Sequence, residues 1–172
     1  MHPFFYAQNM STFILIQGGL SCELSDTLVS DFAEYMAINN KTMLAAQLKA
    51  IGPIKTDSSP LALENLPTPS PKARELLIRI HTCGVCHTEL DEIEGRTPPP
   101  HLPVVPGHQI VGTVIKRGAL CERIKIGQRV GVAWIFSACG HCEFCLQGAE
   151  NLCANFIATG RDAHGGYAEY TC

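Results

Sequence analysis

Four cysteines lie within one fifteen-residue stretch of the sequence, and this cluster constrains the fold more than any other feature. They are Cys139, Cys142, Cys145 and Cys153, separated by two, two and seven residues. Four thiolates at such spacings can surround one ion tetrahedrally, which is the geometry of a closed structural zinc site. Because clustered thiolates are unfavourable without a metal, the loop and the ion are expected to form together. The spacing therefore predicts a structural zinc site.

Other interpretations of this cluster fit less well. A bacterial ferredoxin run leaves three residues before its fourth cysteine and follows it with proline, whereas seven residues precede Cys153 and Ala154 follows it. A nucleic-acid zinc finger needs cations to meet phosphate, and no Lys or Arg occurs between Arg129 and Arg161. Unrelated core cysteines would share this spacing only by accident. His141 could compete as a ligand, but we expect it to face solvent.

The composition indicates a folded protein without a nucleic-acid or membrane surface. Hydrophobic residues make up 46% and charged residues 17% of the 172, and the net charge is −3, which argues against a basic binding surface. No apolar run approaches the roughly 20 residues that span a bilayer, and no signal-peptide pattern begins the sequence. We therefore expect a cytoplasmic protein whose nine cysteines are reduced.

The chain divides at about residue 42. Residues 1–42 are predicted to be an extension of uncertain structure, with one amphipathic helix at Ser25–Met36. From Met43 onward, short strands alternate with loops that are too rich in proline for helix, at 53–71 and 97–106. The strand candidates are Gln47–Ile51, Glu75–Thr82, Gln109–Lys116, Gln128–Ile135 and Gly166–Thr171. This pattern predicts a mainly β fold, a barrel or a sandwich, and no G-x-G-x-x-G follows any strand.

A second group of candidate ligands lies upstream, in Cys83-Gly-Val-Cys86 and in Pro106-Gly107-His108. Alone, the cysteine pair could be a thioredoxin-like redox motif, but that motif opens a helix within a βαβ unit, and the proline-rich segment behind it predicts none. A catalytic zinc uses three protein ligands and keeps one position open. Cys86 and His108 supply two, and the spacing does not identify the third.

Together these motifs resemble the zinc-containing alcohol dehydrogenases of the medium-chain dehydrogenase/reductase family. The matching segments occur in the family's order from about Met43 to Cys172. They are Cys83–Leu90, Val104–Gly112, Gly127–Val130, the four-cysteine loop and Gly165–Tyr170. The resemblance implies a GroES-like β-barrel catalytic domain with short helices over residues 43–172. The family's Rossmann cofactor domain and third catalytic ligand would lie beyond this stretch, and Cys172 falls too soon to match that ligand.

The resemblance also implies roles for individual residues. Cys86 and His108 would bind a catalytic zinc, while the four clustered cysteines would bind the structural one. Thr88 would take the proton of the alcohol, and His87 would approach the phosphates of the cofactor. Glu89, where the family usually has Asp, would orient the zinc-bound histidine.

At two positions the sequence departs from the family. Gln109 stands where Glu is commoner, which removes a carboxylate near the metal. Asp91 stands where many members have the histidine that ends a proton relay, so the outer relay differs here. Away from these motifs, Trp134 and Phe136 are predicted to fill the core.

The activity implied is oxidation of small alcohols to aldehydes or ketones with zinc and with NAD or NADP, the nucleotide binding to the Rossmann domain. A homo-oligomer is compatible with the resemblance. The isolated 172 residues are expected to be inactive. The alternative is a non-catalytic zinc-binding β-barrel remnant. A zinc-free quinone-reductase relative is disfavoured by six matched metal ligands.

Overall fold

The computed structural model describes residues 42–56 and 59–172, so the predicted helix at Ser25–Met36 and nearly all of the predicted extension lie outside the described residues. The strands are β1 (Thr42–Leu48), β2 (Leu61–Pro67), β3 (Leu76–Gly84), β4 (Gln109–Arg117), β5 (Arg129–Val132), β6 (Ile135–Ser137), β7 (Ile157–Ala158) and β8 (Tyr170–Thr171). The helices are α1 (His87–Glu94), α2 (Glu143–Leu146) and a 3-10 turn at Glu150–Leu152. The predicted mainly β class with short helices is confirmed.

The largest sheet has the strand order β5-β4-β3-β8, and all its pairs are antiparallel. Its core consists of alternating apolar side chains from three strands: Leu76, Ile78, Val114 and Val130. The register pairs Gly84 at the end of β3 with Gln109 at the start of β4. The residues after β3 and those before β4 therefore lie at the same end of the sheet.

A hairpin of β1 and β2 braces the loop that leads into β4. The two strands pair antiparallel from Thr42 to Leu48, and the buried Met43 and Ala45 pack against Val105. A second cluster of buried side chains consists of Leu48, Ile93 and Val104. These contacts hold the proline-rich loop against the hairpin, which fixes the backbone just before His108.

Helix α1 follows β3 after a two-residue turn. Cys86 is its N-cap, and Gly95, with φ of 82°, ends it in a left-handed conformation that glycine adopts without cost. Its inner face buries Ile93 but also two carboxylates, Glu89 and Glu92. None of the helices in the described part of the chain is long and apolar enough to cross a membrane.

The strand predictions at Glu75–Thr82 and Gln109–Lys116 are confirmed by β3 and β4, whereas the prediction for the first strand is wrong in position. This strand begins at Thr42 and ends at Leu48 rather than spanning Gln47–Ile51. Its alternating buried positions are Met43, Ala45 and Gln47, and the small alanine carries a weak strand signal.

Three further predictions are wrong in extent. The predicted loop at 53–71 contains β2, whose one proline is its last residue, Pro67, so no interior hydrogen bond of the strand is removed. The predicted strand Gln128–Ile135 is divided between β5 and β6, which belong to different sheets. Of Gly166–Thr171 only the last two residues form β8, and the amides of Gly166 and Tyr167 instead donate to the carbonyls of Gly107 and Pro106.

Candidate metal centres

The four predicted cysteines converge in a lobe framed by the β6–β7 hairpin. Their sulfur atoms all lie within 4.8 Å of one another, and the Sγ atoms of Cys139 and Cys145 are 3.8 Å apart. A tetrahedron with zinc–sulfur bonds of about 2.3 Å has edges of about 3.8 Å. The donor set and its spacing therefore fit a zinc ion.

Backbone amides in the lobe point at the sulfurs. The amide of Cys142 donates to Cys139 Sγ at 3.3 Å, and the amide of Asn155 donates to Cys153 Sγ at 3.4 Å. Hydrogen bonds from the backbone of His141 and then of Cys142 lower the pKa of Cys139 to about 6, whereas burial raises the pKa of Cys145 to about 12. Without a cation only part of the cluster ionises, so bound metal would replace protons.

The lobe has no hydrophobic core of the usual kind. Its buried centre is Ala138, Cys139 and Cys153, with Phe156 against it, while Leu146 and Leu152 are exposed. Tight turns at Gly140 and Gly148, both with positive φ, bring the thiols together. His141, as expected, is exposed. The free energy that orders this lobe must therefore come mainly from metal binding by its four cysteines.

The second predicted group assembles around a buried carboxylate. Glu89, 2% exposed, accepts a hydrogen bond on Oε2 from the backbone amide of Cys86 at 2.7 Å. Its other oxygen, Oε1, lies 2.9 Å from Nδ1 of His108, which is 6% exposed. This second contact is short but not aligned as a hydrogen bond. Glu89 thus contacts Cys86, which follows β3, and His108, which precedes β4. It leaves Nε2 of His108 free for a ligand bond.

The residues that follow Cys86 on helix α1 differ in their exposure and in their polar contacts. The Oγ1 atom of Thr88 lies 3.6 Å from Cys86 Sγ. The His87 side chain is 76% exposed, and its Nε2 is 3.8 Å from Oδ1 of Asp91. Arg96 in turn forms an ion pair with Asp91. Asp91, which stands where many members of the family have a relay histidine, is therefore already paired with a cation.

Trp134 contradicts the prediction that it fills the core. It is 40% exposed, and its ring centroid lies 6.5 Å from that of His108 and 4.9 Å from that of Phe156. Phe136 is half-buried. Trp134 therefore forms an open apolar wall beside the second site, which its position before the four-cysteine loop does not reveal.

The redox interpretation of Cys83-x-x-Cys86 fails on a different ground from the one that the sequence suggests. The prediction that no helix follows the pair is wrong, because helix α1 begins immediately after it. The rest of a βαβ unit is missing, since β3 and β4 are antiparallel. All eight cysteines in the described part of the chain are free thiols.

Within the residues that the structure describes, no third ligand joins Cys86 and His108. Among residues 42–56 and 59–172, the four-cysteine group alone brings three or more potential ligands together. Cys172 follows β8, which pairs with Ile78 near the start of β3. There burial first, and Glu75 next, raise the pKa of Cys172 to about 12. It therefore lies toward the opposite end of the sheet from Cys86.

A segment rich in glycine clamps the backbone before His108. The amides of Gly165, Gly166 and Tyr167 donate to the carbonyls of Val105, Gly107 and Pro106 at 2.7, 2.8 and 3.0 Å. Gly107 itself has φ of +95°, and a Cβ there would lie 2.7 Å from Tyr167 Cδ1 and 2.9 Å from Cys83 Sγ. His108 is thus positioned by a close backbone approach that only glycine permits.

Replacing Gly107 with alanine is therefore expected to destabilise the chain by about 2–4 kcal/mol, of which about 1 kcal/mol is backbone strain and the rest the clash. Gly127→Ala is the matched control, because Gly127 has φ of +84° but a Cβ added there would meet nothing within 4 Å. Urea unfolding of the two variants separates the strain from the clash. Equal losses of stability would show that packing around Gly107 has no role.

Comparison with known proteins identifies the domain. Residues 72–172, more than half of the chain, match the family model described as the alcohol dehydrogenase GroES-like domain. An alcohol dehydrogenase of Geobacillus stearothermophilus is 45% identical over 112 residues, which are 64% of this chain and 33% of that protein. One from Rhizobium meliloti is 42% identical over 130 residues, 75% of this chain and 36% of that protein. The chain spans about a third of the length of these relatives.

Solved structures give the same picture. A thermostable alcohol dehydrogenase from Pyrobaculum aerophilum with cobalt and zinc bound is similar with a TM-score of 0.68 and 30% identity, over 76% of this chain and 38% of that one. A zinc-binding dehydrogenase from Sinorhizobium meliloti, bound to NADP, has a TM-score of 0.66 and 32% identity, over 76% of this chain and 35% of that one.

Proposed function

The chain belongs to the alcohol dehydrogenase family, whose GroES-like domain it carries, and on that premise we propose that it is the zinc-binding catalytic part, residues 43–172, of an NAD(P)-dependent alcohol dehydrogenase. The observation that carries this proposal is the bridge of Glu89 between Cys86 and His108. A carboxylate against Nδ1 favours the proton on that nitrogen and so presents the lone pair of Nε2, as metal-ligating histidines require.

A zinc ion held by Cys86 and His108 would supply Lewis-acid polarisation of the substrate oxygen. The residues around it have separate tasks. Glu89 holds the orientation of His108, and Thr88, beside Cys86 Sγ, is placed to receive a proton from the hydroxyl of the alcohol. Trp134 excludes water from one side and favours a substrate with a small apolar body.

The outer end of the proton path differs from the family's histidine. Asp91 is held in an ion pair with Arg96, so its carboxylate is already engaged at the point where the family's relay histidine would stand. We therefore assign no relay role to Asp91, and the proton from Thr88 passes to water. The exposed His87 at the start of α1 is available to an anionic group such as the cofactor's phosphate.

A second candidate function is zinc binding without catalysis. It is favoured by one observation: in the described part of the chain, the four-cysteine group alone offers a complete ligand set. Both functions share the structural site at Cys139, Cys142, Cys145 and Cys153, so the two must be separated at Cys86 and His108.

Metal content separates them. We expect the purified chain, loaded with Co²⁺, to take up a second ion beyond the one held by four thiolates. Cys86→Ala and His108→Ala are expected to lose that ion and to retain the first. His101→Ala, which changes an exposed loop histidine, is the control and should retain both. A single ion that survives both site substitutions would favour the non-catalytic function.

Activity is tested in parallel. The 172 residues alone are expected to oxidise no alcohol with NAD or NADP, because no G-x-G-x-x-G motif is present to bind the nucleotide. Zinc-dependent turnover by the pure chain would contradict the assignment of cofactor binding to a further domain.

A further inference from the structure

His164 binds a buried backbone amide, a contact that the proposed mechanism does not use. The amide of Val105 donates to His164 Nδ1 at 3.1 Å, and Val105 is 0% exposed. The next residue, Gly165, donates its own amide to the carbonyl of Val105 at 2.7 Å. Both polar groups of the Val105 backbone are therefore bound by two consecutive residues from another segment of the chain.

The residues on either side of Val105 do not rely on a side chain in this way. Val104 exchanges two backbone hydrogen bonds with Leu48 on β1, at 3.1 and 2.8 Å, and Pro106 has no amide to donate. Of these three residues, Val105 alone has an amide that is bound by a side chain. A buried amide that loses its acceptor is destabilising, so the backbone just before His108 depends on the His164 ring.

The turn that carries His164 is itself fixed in place. The preceding residue, Ala163, donates its amide to the carbonyl of Ala158 at 3.2 Å. A Cβ on the following residue, Gly165, would lie 2.0 Å from the carbonyl oxygen of Gly107. The ring therefore extends from a fixed turn that is in close contact with the backbone it supports.

The hydrogen bond to Val105 also defines the protonation state of the ring. A backbone amide can only donate, so Nδ1 has to present its lone pair and the proton of the neutral ring lies on Nε2. Burial lowers the pKa of His164 from its ordinary value of 6.5, which favours this neutral form at pH 7. The nearest charged residues in sequence, Arg161 and Asp162, form an ion pair with each other. The facing segment, residues 102–107, has no titratable side chain.

We propose that His164 is a positioning residue of the metal centre at Cys86 and His108: its neutral ring binds the Val105 amide and so fixes the backbone that carries His108. Protonation of Nδ1 would set two donors against each other and release this amide. His164 acts here through the backbone and not through contact with substrate or metal. The proposal rests on the proposed function only in taking His108 as a metal ligand, and the hydrogen bond itself can be tested without metal at that site.

Three variants of the full chain test the hydrogen bond. His164→Ala removes the acceptor, so we expect the protection factor of the Val105 amide at pH 7.5 to fall by roughly 10-fold or more. His164→Asn keeps an acceptor oxygen near the position of Nδ1 and cannot be protonated, so it should stay within about threefold of the unmodified chain. His101→Ala changes an exposed loop histidine and is the matched control, which should have no effect.

Acid supplies a readout that loss of packing alone would not move. The folded state holds the His164 proton less tightly than the unfolded state, so the stabilisation is complete above pH 6.5 and is lost as the pH falls through the lowered pKa. The protection factor of the Val105 amide, divided by its value in His164→Asn at the same pH, should therefore fall between pH 7.5 and pH 4.5. Other titrations affect both chains alike and cancel. The ¹⁵N shifts of the ring should place its proton on Nε2 at pH 7.5.

Equal protection of the Val105 amide in His164→Ala and in the unmodified chain would overturn the proposal. A ring proton on Nδ1 at pH 7.5, or a ratio to His164→Asn that does not change with pH, would also overturn it. If His164→Ala does not fold, a folded His164→Asn with a protected amide supports the proposal. Failure of both variants to fold contradicts it, because an acceptor alone would then not be sufficient.

The effect on the metal centre is measured with Co²⁺. We expect His164→Ala to bind the second Co²⁺ roughly 10-fold more weakly and His164→Asn to restore the affinity. Unchanged affinity in His164→Ala would refute the positioning role. Failure of the proposed function has a different signature. In that case the unmodified chain binds no second Co²⁺, while the protection factors still report whether His164 binds the Val105 amide.

Discussion

Cys142→Ser is expected to cost the four-thiol site most of its zinc affinity. Structural zinc sites bind with roughly 10–16 kcal/mol in small peptides, so one of four ligands accounts for about 2.5–4 kcal/mol, or roughly 100- to 1,000-fold in Kd. Because the lobe buries thiols in place of a hydrophobic core, its order should be lost with the metal. Chromophoric chelator competition measures the affinity, and amide exchange over residues 138–156 measures the order.

Cys121→Ser is the control for this experiment. Cys121 is a free, half-buried thiol outside the cluster, and its Sγ donates to the carbonyl of Glu75 at 3.4 Å, a bond that a serine hydroxyl can replace. Its zinc affinity and lobe protection should match the unmodified chain. Unchanged zinc affinity in Cys142→Ser would show that the four sulfurs do not act together as a metal site.

The two metal centres differ in how far they could be predicted from sequence. The reason is how far apart along the chain the ligands of each centre lie. The four-thiol site is closed within fifteen residues, so the spacing alone restricts its geometry. Cys86 and His108 belong to different segments, and they meet only because β3 and β4 pair in the register that joins Gly84 to Gln109. Spacing can suggest this pair, but only the resemblance to a family gives it a role.

Glu92 and Trp134 escape prediction from sequence for opposite physical reasons. A carboxylate at a helical position is ordinarily taken as solvated, and nothing local indicates that Glu92 packs inward beside Ile93. An aromatic residue beside a strand is ordinarily taken as core, whereas Trp134 is left open beside His108. Both depend on the 160–167 segment and the β6–β7 hairpin reaching the same end of the sheet, which is a tertiary outcome.

Burial of Glu92 should also make the stability of the whole chain depend on pH. Its pKa is raised from 4.5 to about 7, so the folded state holds the proton more tightly than the unfolded state. The stabilisation is complete below pH 4.5 and is lost as the pH rises through about 7. This rise in pKa corresponds to about 3 kcal/mol at most. Urea unfolding at a series of pH values measures it.

Glu92→Gln should remove this dependence, because glutamine does not titrate. We expect its stability relative to the unmodified chain to rise by about 2–3 kcal/mol between pH 5 and pH 8. Glu94→Gln should show no such rise, since hydrogen bonding to Arg96 lowers the pKa of Glu94 and keeps it ionised across that range. Parallel pH profiles for Glu92→Gln and the unmodified chain would contradict the raised pKa of Glu92, because they would mean that folding does not change how tightly this carboxylate holds its proton.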